Sequence, residues 1–163
     1  PGVDAETAVG PLVNQDAVDK VGELVADAVG RGARVVTGGS APEGPGFFYS
    51  PTVLTDVAPG SQILAEEIFG PVAPVVTFDT DEEAIALANQ TEYGLVSYVF
   101  TTDLARGLRI SEALESGMVG LNRGVVSDAA APFGGVKQSG IGREGGHEGL
   151  LDYTESKYIA VDW

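Results

Sequence analysis

The chain has 163 residues, 44% of them hydrophobic, with no cysteine, one histidine and a formal net charge of −15. That length and composition suit one globular domain whose core takes roughly 70% of the unfolded surface out of water. The charge, 24 acidic against 9 basic residues, repels phosphate backbones and anionic lipid, so neither nucleic acid nor a membrane is an expected partner, and the acid excess reads as a solubility or salt adaptation.

The missing cysteine removes disulfides, thiolate metal sites and a cysteine nucleophile from these residues. His147 cannot build a His-based metal site alone, so no metal is expected. No run of 18 apolar residues reads as a membrane span. The opening Pro1-Gly2-Val3-Asp4 lacks a signal-peptide pattern, and the expected location is the cytoplasm. Met118 is the only methionine, so the chain does not open on an initiator and reads as processed, cut or part of something longer. Glycine is abundant, 23 residues or about 14% against a typical ~7%, and clusters in turns and in 134–149.

Residues 1–14 read as irregular. Val18, Val21, Leu24, Val25, Ala28 and Val29 predict an amphipathic helix over 15–31, closed by Arg31-Gly32. Arg34 to Thr37 predicts a short strand, followed by a Gly/Pro loop over 38–46. Phe47 to Val57 is β-prone but carries Pro51, which predicts an edge or broken strand. Ser61 to Glu67 is short and helix-like. Ala73 to Phe78 lacks clean alternation and predicts a strand buried on both faces. Thr80 with Glu83 is a capping box opening a helix to about Gln90. A strand is expected over 95–101. A helix capped by Thr102 or Asp103 follows to about Glu115, with Leu104, Leu108, Ser111 and Leu114 on one face, and a further strand over 117–122. Arg143 to Tyr153 is a candidate last helix, and Lys157 to Trp163 alternates like a terminal strand that adds to a neighbouring sheet.

Residues 72–122 thus read strand–helix–strand–helix–strand, the pattern of an α/β domain with a parallel-type sheet and crossover helices. Ligands in such sheets lie at the carboxyl ends of strands, and the loop after Asn122 starts at one.

Two stretches carry candidate chemistry. In Glu66-Glu67-Ile68-Phe69-Gly70-Pro71-Val72, paired carboxylates run into an aromatic ring and a Gly-Pro break. An acid against apolar surface has either a raised pKa or a specific partner, although two glutamates also simply finish a short surface helix. In Ala131-Pro132-Phe133-Gly134-Gly135-Val136-Lys137-Gln138-Ser139-Gly140, paired glycines permit a tight turn that presents one aromatic ring. Phe133 reads as a core plug or a pocket wall, and Lys137 as a salt-bridge or carbonyl-binding residue. Gly140-Ile141-Gly142-Arg143-Glu144-Gly145 satisfies G-x-G-x-x-G but has no preceding hydrophobic strand and no room for a βαβ unit, so it is not read as a dinucleotide fingerprint.

Together these stretches, with Gly10-Pro11-Leu12-Val13-Asn14, Val36-Thr37-Gly38-Gly39 and Tyr153-Thr154-Glu155-Ser156-Lys157-Tyr158 in the same order, resemble the C-terminal part of the aldehyde dehydrogenase superfamily over about residues 10–163. Ala131 to Gly145 looks most like succinate-semialdehyde dehydrogenases. The resemblance implies a partial catalytic domain over 1–152 and an oligomerisation strand over 153–163, giving a homo-oligomer. It implies a parent oxidoreductase that oxidises an aldehyde with NAD or NADP through a cysteine thioester. By the same resemblance Glu67 matches the acceptor for the nicotinamide-ribose hydroxyls and Phe69 the aromatic beside the nicotinamide. Ser127 matches the serine that binds a substrate's distal carboxylate, and Phe133 lines the aldehyde pocket. The nucleophilic cysteine and general-base glutamate are expected upstream, so the chain alone is expected to be inactive. The competing reading is a stand-alone, non-catalytic assembly or binding domain that reuses the scaffold.

Overall fold

The computed structural model describes residues 2–163, which divide into two compact units, 2–77 and 78–163. One continuous domain was expected, and the boundary falls inside the run that reads strand–helix–strand–helix–strand.

The first unit is one helix on a small mixed sheet. Helix α1 spans Gln15–Gly30, and the Asn14 side chain accepts from the Ala17 N–H at 2.9 Å to cap it. Its predicted stripe faces inward: Val18, Val21, Leu24, Val25 and Ala28 are buried with Ala33, Tyr49, Leu54, Val57 and Ile63 in one core. Each such large aliphatic side chain contributes about 1.5–3 kcal/mol when fully removed from water. Val29 is the exception and faces solvent. Burial pushes the Tyr49 phenol pKa up.

Strands β1 (Arg34–Thr37), β2 (Thr52–Thr55) and β3 (Val72–Pro74) form a sheet in that order, β1–β2 antiparallel and β2–β3 parallel. A register shift between Val35 and Thr37 marks a bulge in β1. Pro51 breaks the 47–57 segment as expected, but the resulting strand is central, not at an edge. Because Pro51 lies one residue ahead of the ladder, its missing N–H costs no ladder bond. A 3₁₀ turn over Gln62–Leu64 replaces the short helix.

The run Ala73 to Phe78 is not a strand buried on both faces. Pairing stops at Pro74, and Val75, Val76 and Phe78 are exposed. Among the described residues β2 is the one strand that pairs with β3.

In the second unit, helix α2 (Asp81–Asn89) is capped by Thr80, whose Oγ1 accepts from the Glu83 N–H at 3.2 Å. Glu83 reaches back one residue further than a capping box requires, accepting from the Asp79 N–H at 2.8 Å. Strands β4 (Tyr93–Gly94), β5 (Val96–Val99) and β6 (Met118–Leu121) follow, with helix α3 (Leu104–Ala113) between β5 and β6. The β5–α3–β6 segment is the expected parallel crossover, in register from Val96 opposite Met118 to Val99 opposite Leu121. Asp103, not Thr102, caps α3 by accepting from the Arg106 N–H at 3.0 Å.

The inward face of α3 differs from the predicted one. Leu104 and Leu108 are 64% and 57% exposed, while Gly107 is buried and Ile110, Ser111 and Leu114 are partly covered. Gly107 explains the rotation: a Cβ there would stand 2.7 Å from Leu121 Cδ1, so the helix meets β6 at its least bulky residue.

β4 pairs antiparallel with β7 (Val136–Lys137), and Phe133 bridges Glu144. The last helix, α4, is confined to Glu148–Leu151 rather than 143–153. Residues 154–163 are exposed and form no ladder among the described residues, so the expected terminal strand is not paired here. Among the described residues no helix is long and apolar enough to cross a membrane.

Candidate cofactor and substrate site

The four residues singled out for binding fall in pairs, Glu67 with Phe69 in the first unit and Ser127 with Phe133 in the second.

Glu67 and Phe69 stand on the turn between the 3₁₀ segment and β3. Phe69 has φ +46°, in the left-handed region, and the residue is 76% exposed. A left-handed conformation costs a non-glycine residue about 1–3 kcal/mol and persists only where its surroundings enforce it. Three contacts do so. Lys20 on α1 donates from Nζ to the Glu67 carbonyl at 2.7 Å. Gly70 lies so close to α1 that a Cβ would stand 2.5 Å from Val21 Cγ2. The Pro71 carbonyl accepts from the Thr52 N–H at 2.8 Å, tying the turn to β2.

The result is an aromatic ring and a carboxylate held outward by backbone rather than by their own side chains. The Glu67 carboxylate is exposed and makes no hydrogen bond or ion pair among the described residues. A free carboxylate offers two acceptor oxygens to a vicinal diol, and an outward ring offers a face to a planar heterocycle. This acceptor and ring together suit a vicinal diol next to a planar heterocycle. Glu66 is not idle: its Oε2 lies 3.9 Å from Lys20 Nζ.

Ser127 and Phe133 line one open concavity of about 420 Å³ with Asp128, Ala129, Glu144 and Gly145. The Ser127 hydroxyl is exposed with no hydrogen bond among the described residues. Phe133 is half-buried, and its N–H and C=O pair with Glu144 at 2.7 and 2.8 Å. It lines this concavity and is not part of the buried core. Arg123 turns onto its own loop, donating from Nε to the Val125 carbonyl at 2.6 Å.

Lys137 takes both roles read for it. It donates to the Asn89 and Thr91 carbonyls at 2.8 and 3.2 Å, at the end of α2, and pairs with Glu115. The glycine run that mimics a dinucleotide fingerprint leads into a helix of only 4 residues, and no βαβ unit forms there.

Sequence reasoning missed two residues that shape these surfaces. Arg143 donates from Nη1 to the carbonyls of Gly135, Ile141 and Gly142 at 2.7, 3.1 and 2.9 Å, closing the loop between Phe133 and Glu144. It lies inside the quoted glycine run, which was the available signal. Lys20 lies 47 residues from its acceptor, and no local pattern marks it.

The chain is similar to known proteins over nearly its whole length. The sequence pattern described as the aldehyde dehydrogenase family matches residues 1–159. A succinate-semialdehyde dehydrogenase of Paenarthrobacter nicotinovorans is 56% identical over 98% of this chain and 36% of its own length. The succinate-semialdehyde dehydrogenase [NADP(+)] of Escherichia coli (strain K12) is 49% identical over 98% of this chain and 33% of its own. Among solved structures, an E. coli NADP-dependent enzyme superposes with a TM-score of 0.93 at 49% identity, covering 97% of this chain and 33% of that one. The chain therefore spans about a third of the length of these relatives. With the pattern matched almost end to end and the backbone superposed over nearly its whole length, the chain belongs to the aldehyde dehydrogenase family.

Proposed function

We propose that this chain is the C-terminal part of an NAD(P)-dependent aldehyde dehydrogenase that oxidises succinate semialdehyde to the corresponding carboxylic acid. The observation that carries the substrate reading is Ser127 and Phe133 lining one concavity, in a chain 56% identical to a succinate-semialdehyde dehydrogenase. Ser127 donates a hydrogen bond to the substrate's distal carboxylate, and Phe133 packs along its methylene chain. Glu67 accepts from the ribose hydroxyls, Phe69 packs beside the nicotinamide, and the Gly70-Pro71 backbone aims both. NAD(P), when bound, accepts the hydride.

The chain has no cysteine, so the thiolate that forms the thioester comes from the remainder of the protein, with the general-base glutamate and the dinucleotide-binding half. The chain alone is inactive. Residues 153–163, with Tyr158, Ile159, Val161 and Trp163 exposed, supply a strand that pairs across subunits of a homo-oligomer in the cytoplasm.

The test uses the full-length protein. Ser127→Ala raises the Michaelis constant for succinate semialdehyde about ten-fold or more, the range expected when a site's hydrogen bond to a charged group is lost. The constant for an uncharged aldehyde of similar length changes little. Equal effects on both aldehydes remove the succinate-semialdehyde reading.

A further inference from the structure

The first unit holds an open concavity of about 770 Å³ that neither the cofactor nor the substrate reading uses. It lies between α1 and β1 with the loop that follows, and its volume falls in the range of small-ligand sites. Val18, Val25, Val29 and Val35 give it an apolar floor, and Gly22 and Gly39 keep that floor clear of side chains. The rim is acidic. Asp19 and Glu23 stand one turn apart on α1, a like-charge spacing that disfavours a helix. Among the described residues the Glu23 carboxylate makes no hydrogen bond or ion pair, and Asp19 accepts from the Gln15 amide alone, at 2.8 Å. No lysine or arginine lines the concavity among those residues. The basic residues of this unit are engaged elsewhere, Lys20 with Glu66, Arg31 with Asp27 and Arg34 with Asp56. Tyr49 adds a buried polar group. The residue is 6% exposed, its hydroxyl makes no hydrogen bond among the described residues, and burial alone pushes its pKa up. A buried phenol ordinarily has a partner. Among the described residues no fully enclosed side-chain oxygen lacks one, so the access this hydroxyl keeps opens into the concavity that Tyr49 lines.

We propose that this concavity binds a small organic ammonium ion with an apolar body, a primary alkylamine being the simplest member of the class. A primary ammonium carries three N–H donors, and Asp19, Glu23 and the Tyr49 hydroxyl each accept one. The alkyl chain lies over Val29 and Val35, which are 42% and 39% exposed without it. The cation relieves the repulsion between the two carboxylates, so binding also supports α1. A carboxylate of similar length meets like charge at the rim and is rejected, which distinguishes this concavity from the Ser127 pocket read for an acidic substrate.

The test titrates the full-length protein with n-hexylamine, and with hexanoate as the anionic counterpart, by saturation-transfer NMR. Hexylamine is expected to bind with a dissociation constant of about 1 mM, the affinity open to so few heavy atoms. Hexanoate binds at least about ten-fold more weakly. Gly22→Leu abolishes hexylamine binding: a Cβ at Gly22 meets nothing within 4 Å, so the larger side chain fills the concavity without displacing the core. Gly22→Ala leaves the space open and keeps the affinity within about two-fold. Tyr49→Phe weakens binding about three- to ten-fold, the loss of one hydrogen bond. The double variant Asp19→Asn/Glu23→Gln weakens it about five-fold. Thermal melts of each variant, with and without amine, show that the fold is retained. No hexylamine binding up to about 10 mM, equal binding of hexanoate, or binding that survives Gly22→Leu overturns the proposal. Unchanged affinity in both Tyr49→Phe and the double variant overturns it as well, because the amine then sits elsewhere.

Discussion

Gly70→Ala is the sharpest test of how the turn is held. The added methyl would stand 2.5 Å from Val21 Cγ2, so the two must separate by about 0.9 Å to reach the 3.4 Å of ordinary contact. Val21 cannot yield: it is 0% exposed, in the middle of α1, and β-branched with one dominant helical rotamer. Overpacking of this kind costs about 1–3 kcal/mol. Gly→Ala also restricts the unfolded chain, which returns about 0.4–1 kcal/mol. A net loss of roughly 1–2 kcal/mol lowers the thermal midpoint of a chain this size by about 3–6 °C. Gly22→Ala supplies the contrast, because a Cβ there meets nothing within 4 Å and the site is interior to α1. It should stabilise by about 0.5–1 kcal/mol. Circular dichroism melts and urea titrations of both variants give the signs. A Val21→Ala/Gly70→Ala double variant should recover part of the Gly70→Ala cost, since contacting residues couple. Two variants of the same sign, or a Gly70→Ala cost unaffected by Val21→Ala, would refute the close approach.

Three further outcomes are expected. Asp81 has its carboxyl held below the ordinary value by hydrogen bonds from Arg106, helped by Arg109. A depressed folded-state pKa stabilises above the unfolded value of about 3.9 and is lost as pH falls through the lower folded value. Asp81→Asn should therefore flatten the acid limb of a stability–pH profile below about pH 4, and an unaltered limb would contradict this. Arg143→Met frees three loop carbonyls and should speed amide exchange at Phe133 and Glu144, whose bridge it braces; unchanged protection there would count against it. Calorimetric titration of the 163-residue chain with NAD should give no micromolar binding, because Glu67 and Phe69 supply only one end of the proposed site. A micromolar dissociation constant would show that the clasp suffices.

Local signals in the sequence were dependable where one side chain acts on nearby backbone. The Thr80 and Asp103 caps and the α1 stripe all follow from spacing of three or four residues. Reading failed where a distant partner decides. Nothing in Leu104-Ala105-Arg106-Gly107-Leu108 says that α3 turns its glycine to β6, because the reason is Leu121. Likewise the run Ala73 to Phe78 reads as a strand buried on both faces, yet β3 ends at Pro74 and Val75, Val76 and Phe78 are exposed. At the site, the Glu67 and Phe69 stretch was recognisable as a pattern, but the left-handed backbone at Phe69 was not, since no glycine or asparagine stands there to announce it. Lys20 was invisible because its contact crosses 47 residues.

The two-stranded parallel pair β5–β6 bears on how the chain behaves in solution by itself. Parallel strands usually lie inside a sheet with both flanks paired, and a sheet of two is marginal. Val96–Val99 and Met118–Leu121 contain no charge and no proline, the residues that ordinarily blunt a sheet's rim. Among the described residues each has one flank that no other strand pairs, with an uncharged sequence behind it. A net charge of −15 acts over the whole surface, but strand addition happens at contact, within a Debye length. Addition of a further strand to this pair accordingly depends on these 8 residues, and a single lysine at either rim should lower it.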